Sequence, residues 1–309
     1  MLSFCTIVNN SHLPYAFTLA QSLKRYSPSV KIFILISDLD EVWFIKSKDS
    51  CTKILGLNDL SDTELLQRLR VRYKICSDAF RWSLKPLILI DLLQKFGCEK
   101  VFYADSDIHF FHSFEFLGAE LGENSFLLSP HWRSMNPEVD EIEFQRLFSH
   151  GLFNAGFIGV TSGALKTLRW WASMCIYKCG KEIDSGLYDD QAYLNLFWIQ
   201  DAGCSVLRHR GCNVAVWNRS ECIRVLQSDG TVLINNQDPI IFIHFSNLKL
   251  MVEHDTELTL YIKRYSESLK QNGLEFDIYQ DSVRWVDKRR SNSSKLMHRL
   301  RRILNKFKL

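Results

Sequence analysis

The chain has 309 residues, 46% of them apolar and 13% aromatic. That is ample side-chain volume for a buried core and far too much for a disordered chain. The formal net charge of +3 hides an asymmetry: nine basic residues and no acid fall between Lys288 and Leu309, leaving 29 basic against 35 acidic residues, a net −6, elsewhere. A body of that sign lacks the basic face that nucleic-acid binding needs.

The chain opens Met1-Leu-Ser-Phe-Cys-Thr-Ile-Val, with neither the charged n-region nor the cleavage site of a signal peptide. No run of about 18 apolar residues is present to span a membrane. Nine cysteines without a framework read as reduced thiols of a cytosolic protein, and Cys175 with Cys179, four apart on an apolar helical stretch, read as core packing.

Residues 3–8 and 31–36 are short apolar runs, and Phe17, Leu19, Ala20 and Leu23 fall at helical spacing between them. Strand, helix, strand predicts a βαβ unit and hence a parallel sheet. Residues 84–96 predict a helix with Pro86 near its start and Gly97 as its stop. Lys100 to Ala104 predicts a strand that ends in Asp105-Ser106-Asp107. Strands are also expected at 126–128, 155–160 and 240–245, and helices at 164–177, 190–199 and 255–270. The fold class is α/β with a mostly parallel sheet, which places sites at the carboxyl ends of the strands.

In an extended chain, carboxylates two residues apart point the same way. Asp105 and Asp107 would then set two negative charges side by side, which costs free energy unless a cation neutralises them. A hard divalent ion such as Mg²⁺ or Mn²⁺ suits such oxygen ligands and keeps positions open for diphosphate. His244, the one polar ring of Asp238-Pro-Ile-Ile-Phe-Ile-His-Phe-Ser, completes a Mn²⁺-type ligand set. His109, on the same alternation as the two aspartates, is the rival third ligand.

Several blocks carry a family resemblance. Lys100-Val-Phe-Tyr-Ala-Asp-Ser-Asp-Ile resembles the metal-binding aspartate motif of GT-A fold glycosyltransferases. Phe153-Asn-Ala-Gly-Phe-Ile-Gly-Val resembles the Asn-Ala/Ser-Gly strand of the retaining family 8 type. Asp190-Gln191 with Leu194-Asn195 resembles their Asp-Gln-x-x-Leu-Asn helix, and His244-Phe245-Ser246 with Lys249 their late metal and phosphate block. Lys85, in Arg81-Trp-Ser-Leu-Lys-Pro, resembles the basic helix before the aspartates. The likeness spans about residues 3–250, and the blocks at 81–86 and 213–218 are most similar to bacterial enzymes of surface-polysaccharide biosynthesis. The chain departs from the pattern at Ala192, where the family has a second Asp, and at Ser246-Asn247-Leu248-Lys249, where it has a Gly-containing stretch.

The resemblance implies a metal-dependent transferase that moves a sugar from a nucleotide-diphosphate donor, UDP-linked, to a saccharide acceptor with retention of configuration. It implies Mn²⁺ or Mg²⁺ on Asp105, Asp107 and His244. Gln191 and Asp190 would be the catalytic pair, Gln191 orienting at the anomeric carbon because a neutral amide is a poor nucleophile. Thr6, Val8, Asn10, Lys85, Ser106, Asn154, Gly156 and Lys249 would bind donor, with Gly156 allowing close backbone approach. His131, Trp217 and Asn218 would form an acceptor platform. The other readings are a sugar nucleotidyltransferase, which would need a Gly-rich loop where Asn9-Asn-Ser-His-Leu-Pro stands, and a non-catalytic sugar-binding or scaffold protein.

Leu296, Leu300, Ile303, Leu304 and Phe307 alternate with basic residues at helical spacing. This predicts a basic amphipathic helix lying on an anionic membrane surface. The expected organisation is a catalytic domain over 1–282 and this tail over 283–309. The expected location is the cytoplasm, peripherally on the inner face of the plasma membrane, where a lipid-linked acceptor would be within reach.

Overall fold

The computed structural model describes residues 2–47, 49–74, 76–181 and 186–289, so the tail helix expected at 296–307 lies outside the described residues. The first half contains β1 (Leu2–Val8), α1 (Leu13–Lys24), β2 (Lys31–Ile36), β3 (Thr52–Leu55), α2 (Thr63–Arg72), α3 (Ser77–Ser83), α4 (Lys85–Gln94), β4 (Lys100–Ala104), β5 (Ile108–Phe110), α5 (Leu117–Leu121), β6 (Phe126–Pro130) and α6 (Glu141–Ser149). It continues with β7 (Phe153–Val160), α7 (Leu165–Tyr177), α8 (Phe197–Gln200), β8 (Cys204–Val206), β9 (Arg224–Leu226), β10 (Val232–Ile234), β11 (Asp238–Pro239), β12 (Phe242–His244), α9 (Leu248–His254) and α10 (Thr259–Gln271). A last helix covers 278–289.

Seven strands form one sheet in the order β3-β2-β1-β4-β7-β6-β8. Its pairs are parallel except those of β7, which runs antiparallel to both neighbours. The predicted βαβ unit is there, and β1 and β2 are mostly apolar because both faces of the sheet are covered. Cys5, Ile7, Phe33 and Leu35 face a core shared with α2, α4 and α7. Phe4, Val8, Ile32, Ile34 and Ile36 face a second core under α1 and α5. A third core packs β10 and β12 against α9 and α10.

All nine cysteines carry free thiols, and Cys175 and Cys179 sit in the first core as their spacing suggests. Among the described residues no helix is long and apolar enough to cross a membrane.

Two elements differ from expectation. The stretch 190–199 is a 3₁₀ turn over Ala192–Leu196 followed by the four residues of α8. The Asp190 carbonyl accepts from the Trp171 indole N–H at 2.9 Å, so the chain tightens and the Leu194 N–H bonds Gln191 instead. The Asp-Ser-Asp is a turn rather than the end of a strand: the Ile108 N–H closes on the Asp105 carbonyl at 3.0 Å, and β5 starts beyond it.

Candidate active site

The carboxyl ends of β1, β4 and β6 and the start of the reversed β7 lie on one rim of the sheet, and a cleft of about 1010 Å³ opens there. Its floor is the turn after β4. Pairing of β5 with β12 sets Ile108 opposite His244, and the Phe245 N–H bonds the Asp107 carbonyl at 2.9 Å. This ladder carries His244 to the aspartates. Its Nε2 lies 3.1 Å from Asp107 Oδ1 and 3.8 Å from Asp105 Oδ2. Burial opposes a charge on His244, but Asp107 outweighs it and raises the imidazole; in return His244 overcomes burial to lower Asp107.

Ligand atoms of Asp105, Asp107 and His244 all fall within 4.8 Å of one another, the one such cluster among the described residues. Gly156 supports the same conclusion. A Cβ there would stand 2.6 Å from Asp105 Oδ2, from His244 Cε1 and from Asn154 Oδ1, so the strand leaves room for these side chains. Two oxygen donors and an imidazole in a tight, shaped recess fit Mg²⁺ or Mn²⁺. His109, the rival, is excluded by the turn. It points into the third core against Phe111 and Tyr265, where burial first and Arg25 second push its imidazole down to about 3.

Supporting residues surround the triad. Tyr103 donates from its hydroxyl to Asp105 Oδ1 at 2.7 Å. Lys85 is 3% exposed and lies beneath the cleft, with Nζ 3.1 Å from the Ala155 carbonyl, 3.1 Å from Asp190 Oδ2 and 3.8 Å from Asp105 Oδ1. Burial alone would lower its ammonium, but Asp105 and Asp190 together raise it, so it is a fixed internal cation. Asp190 is buried beside it, with its carboxyl pushed up to about 6 by burial against the pull of Lys85.

The other expected residues divide. Val8, Ser106, Asn154, Gln191, Trp217 and Lys249 line the cleft. His131 lines it too, but both ring nitrogens are occupied: Nδ1 meets the Gly151 carbonyl at 2.9 Å and Nε2 meets the Asn154 amide nitrogen at 3.2 Å. This ring therefore orients Asn154. Thr6 is buried within β1, and Asn10 is exposed with its N–H on Asp38. Asn218 is fully buried, taking the Ala215 N–H and giving its amide to the Asn213 carbonyl, so it shapes the backbone under Trp217. Tyr103, which holds Asp105, is a residue that the sequence reading passes over, although two places before Asp105 it shares that face of the strand.

Asp189 also lines the cleft, at a strained φ of +51°, with one buried oxygen lacking a hydrogen-bond partner. Burial, with Asp190 second, pushes its carboxyl up to about 7. A raised acid binds its proton more tightly in the fold than in the unfolded chain, so ionisation destabilises. The penalty is absent below about pH 4, grows as pH rises to about 7, and is constant above. Asp189→Asn tolerates the same backbone and removes the charge. It should stabilise the protein by on the order of 2 kcal/mol in urea unfolding at pH 8, after discounting for partial exposure, and by about a quarter of that at pH 4.5. An equal gain at both pH values would disprove the assignment.

No family model matches the chain. It is 28% identical to the uncharacterized protein YfnD of Bacillus subtilis (strain 168), over 92% of this chain and 89% of that one. It is 26% identical to YfnF of the same strain, over 81% and 82%. Among solved structures, the apo bifunctional glycosyltransferase WbbM matches with a TM-score of 0.53 at 11% identity, over 92% of this chain and 51% of that one. The galactosyltransferase LgtC, in complex with donor and acceptor sugar analogues, matches over 91% and 99% at 15% identity and a TM-score of 0.48. The likeness to WbbM shows the fold: the chain has the α/β, mostly parallel architecture of GT-A glycosyltransferases.

Proposed function

We propose that the protein is a metal-dependent glycosyltransferase that moves a sugar from a UDP-linked donor to a saccharide acceptor with retention of anomeric configuration. The observation that carries this is the Asp105–Asp107–His244 cluster at the rim of the sheet, cradled by Gly156. A divalent ion held there would neutralise the diphosphate as negative charge develops on it. Lys249, on the cleft wall with its ammonium 5.6 Å from the Trp285 ring centroid, would add a second cation for the phosphates.

Asn154, oriented by His131, is a donor for sugar hydroxyls. Gln191 presents a neutral amide to the reacting centre. Asp190, buried and held by Lys85, supports this wall rather than attacking. The acceptor oxygen bonds the anomeric carbon on the face from which the phosphate leaves, and the departing phosphate oxygen takes the acceptor proton.

The test is UDP release from a panel of UDP-sugars with Mn²⁺, with and without chelator. Acceptor arms should include a saccharide on a lipid carrier in anionic liposomes, an acceptor for which membrane attachment would be useful. Release abolished by chelator, with a product of retained configuration by proton NMR, is the expected result. Turnover that ignores chelator, or an inverted product, overturns the corresponding part. Failure to release UDP with any donor would favour a non-catalytic sugar-binding role.

A further inference from the structure

Beyond β6 the cleft wall carries a basic cluster that the chemistry above does not use. Arg133 follows the strand and is 6% exposed, while the Arg146 side chain, on α6, is 44% exposed. Both guanidinium groups grip Glu143, one on each carboxylate oxygen. Among the described residues these two cations thus share one anion. The buried Nε of Arg133 has no hydrogen-bond partner, and a buried guanidinium N–H left unpaired is costly.

The surroundings fix this wall in place. The Arg133 guanidinium lies 5.8 Å from the centroid of Trp217, whose ring stands nearly perpendicular to that of His244 with centroids 5.2 Å apart. His150 and Tyr188, with rings 4.1 Å apart, continue the wall toward Asp189. Burial, with Arg133 and Arg146 next, pushes His150 down to about 4, so its ring is neutral, with Nδ1 2.8 Å from the Ser149 hydroxyl. Trp132 holds a left-handed φ of +52°, rare for a bulky residue, with the Arg210 guanidinium 3.5 Å from its ring centroid. Strain of this kind persists where the surrounding structure over-determines it.

We infer that Arg133 and Arg146 form a subsite for an anionic group, a carboxylate or a phosphate, on the saccharide acceptor. The inference rests on the sugar-transfer reading and names the acceptor class for it. The sheet order favours acceptor over donor. Val8 ends β1 on one side of the metal turn, and β6 lies on the other side, three strand spacings or roughly 14 Å away. Guanidinium forks suit both anions because each offers paired N–H donors to paired oxygens.

The experiment titrates the protein, saturated with Mn²⁺ and UDP, with disaccharides of one skeleton followed by ligand-observed NMR: cellobiose, cellobiouronic acid and cellobiose 6′-phosphate. At least one anionic probe should bind about ten-fold or more tightly than cellobiose, and the stronger of the two identifies carboxylate or phosphate. The advantage should fall below about two-fold in Arg146→Gln, return only in part in Arg146→Lys, which keeps the charge but not the fork, and shrink in about 0.5 M NaCl. Equal binding of all probes, or an advantage unchanged in Arg146→Gln, overturns the subsite. UDP release is measured on the same preparations. An Arg146-dependent preference without turnover defeats the transfer reading alone, and turnover with equal binding defeats the subsite alone.

Discussion

Asp107→Asn should lower UDP release by about 10³-fold or more, roughly 4 kcal/mol of transition-state stabilisation, with the fold intact. Asp107 is the cleaner choice of the two aspartates. Asp105 also receives the Tyr103 hydroxyl and lies beside Lys85, so changing it leaves a buried cation short of a partner. Among the described residues Asp107 forms its ion pair with His244, and the amide keeps its shape. Thermal unfolding with and without Mn²⁺ separates the causes. A ligand present at about a hundred times its dissociation constant stabilises by about 2.7 kcal/mol. The wild type should show such a rise, and Asp107→Asn should show none while unfolding at nearly the wild-type temperature without metal. Activity that survives the substitution, or a Mn²⁺ shift of undiminished size, would remove Asp107 from the metal site.

What the sequence disclosed follows from how its residues are buried. The strands β1, β2, β4 and β7 lie inside a sheet covered on both faces, so each reads as a mostly apolar run that a single chain reveals. His244 stands out because a buried strand delivers one polar ring. The turn at 105–107 is another matter. Alternation treats Asp105, Asp107 and His109 as one face, and only the bond from the Ile108 N–H to the Asp105 carbonyl breaks that register and sends His109 into the core. The 3₁₀ turn over Ala192–Leu196 likewise depends on an indole from α7 that no local pattern announces.

Lys85 shows the same limit in the site. Its motif marks it as basic and near the aspartates, but not that it would be sealed beneath them as an internal counter-charge. Strands β8 to β11, of two or three residues each, are too short to carry a period. Arg133 and Arg146, thirteen positions apart, meet only because α6 folds back over the end of β6, so their shared grip on Glu143 leaves no mark in either segment.

Gly156→Ala should be as damaging as loss of a ligand, although it removes no functional group. The added Cβ would lie 2.6 Å from Asn154 Oδ1, Asp105 Oδ2 and His244 Cε1, closer than non-bonded atoms tolerate. None of the three can retreat cheaply. Asn154 is held by His131 and by the Gly156 N–H, Asp105 by Tyr103, and the His244 ring is 4% exposed against Trp217. The ligands must move apart, and a displacement of that kind should cut UDP release by about 10²-fold or more. Overpacking itself costs about 1–3 kcal/mol wherever it occurs, so a matched control is needed. Gly159, three residues along the same strand, would place its Cβ 2.7 Å from Phe102 and 3.2 Å from Leu127, inside the core and away from the triad. Gly159→Ala should therefore lose stability while keeping the Mn²⁺-dependent thermal shift. Gly156→Ala should lose the shift whatever its stability. If both variants keep it, or both lose it in proportion to their destabilisation, the cradle is ordinary strand packing. A loss confined to Gly156→Ala means that the strand sets the spacing of the ligands.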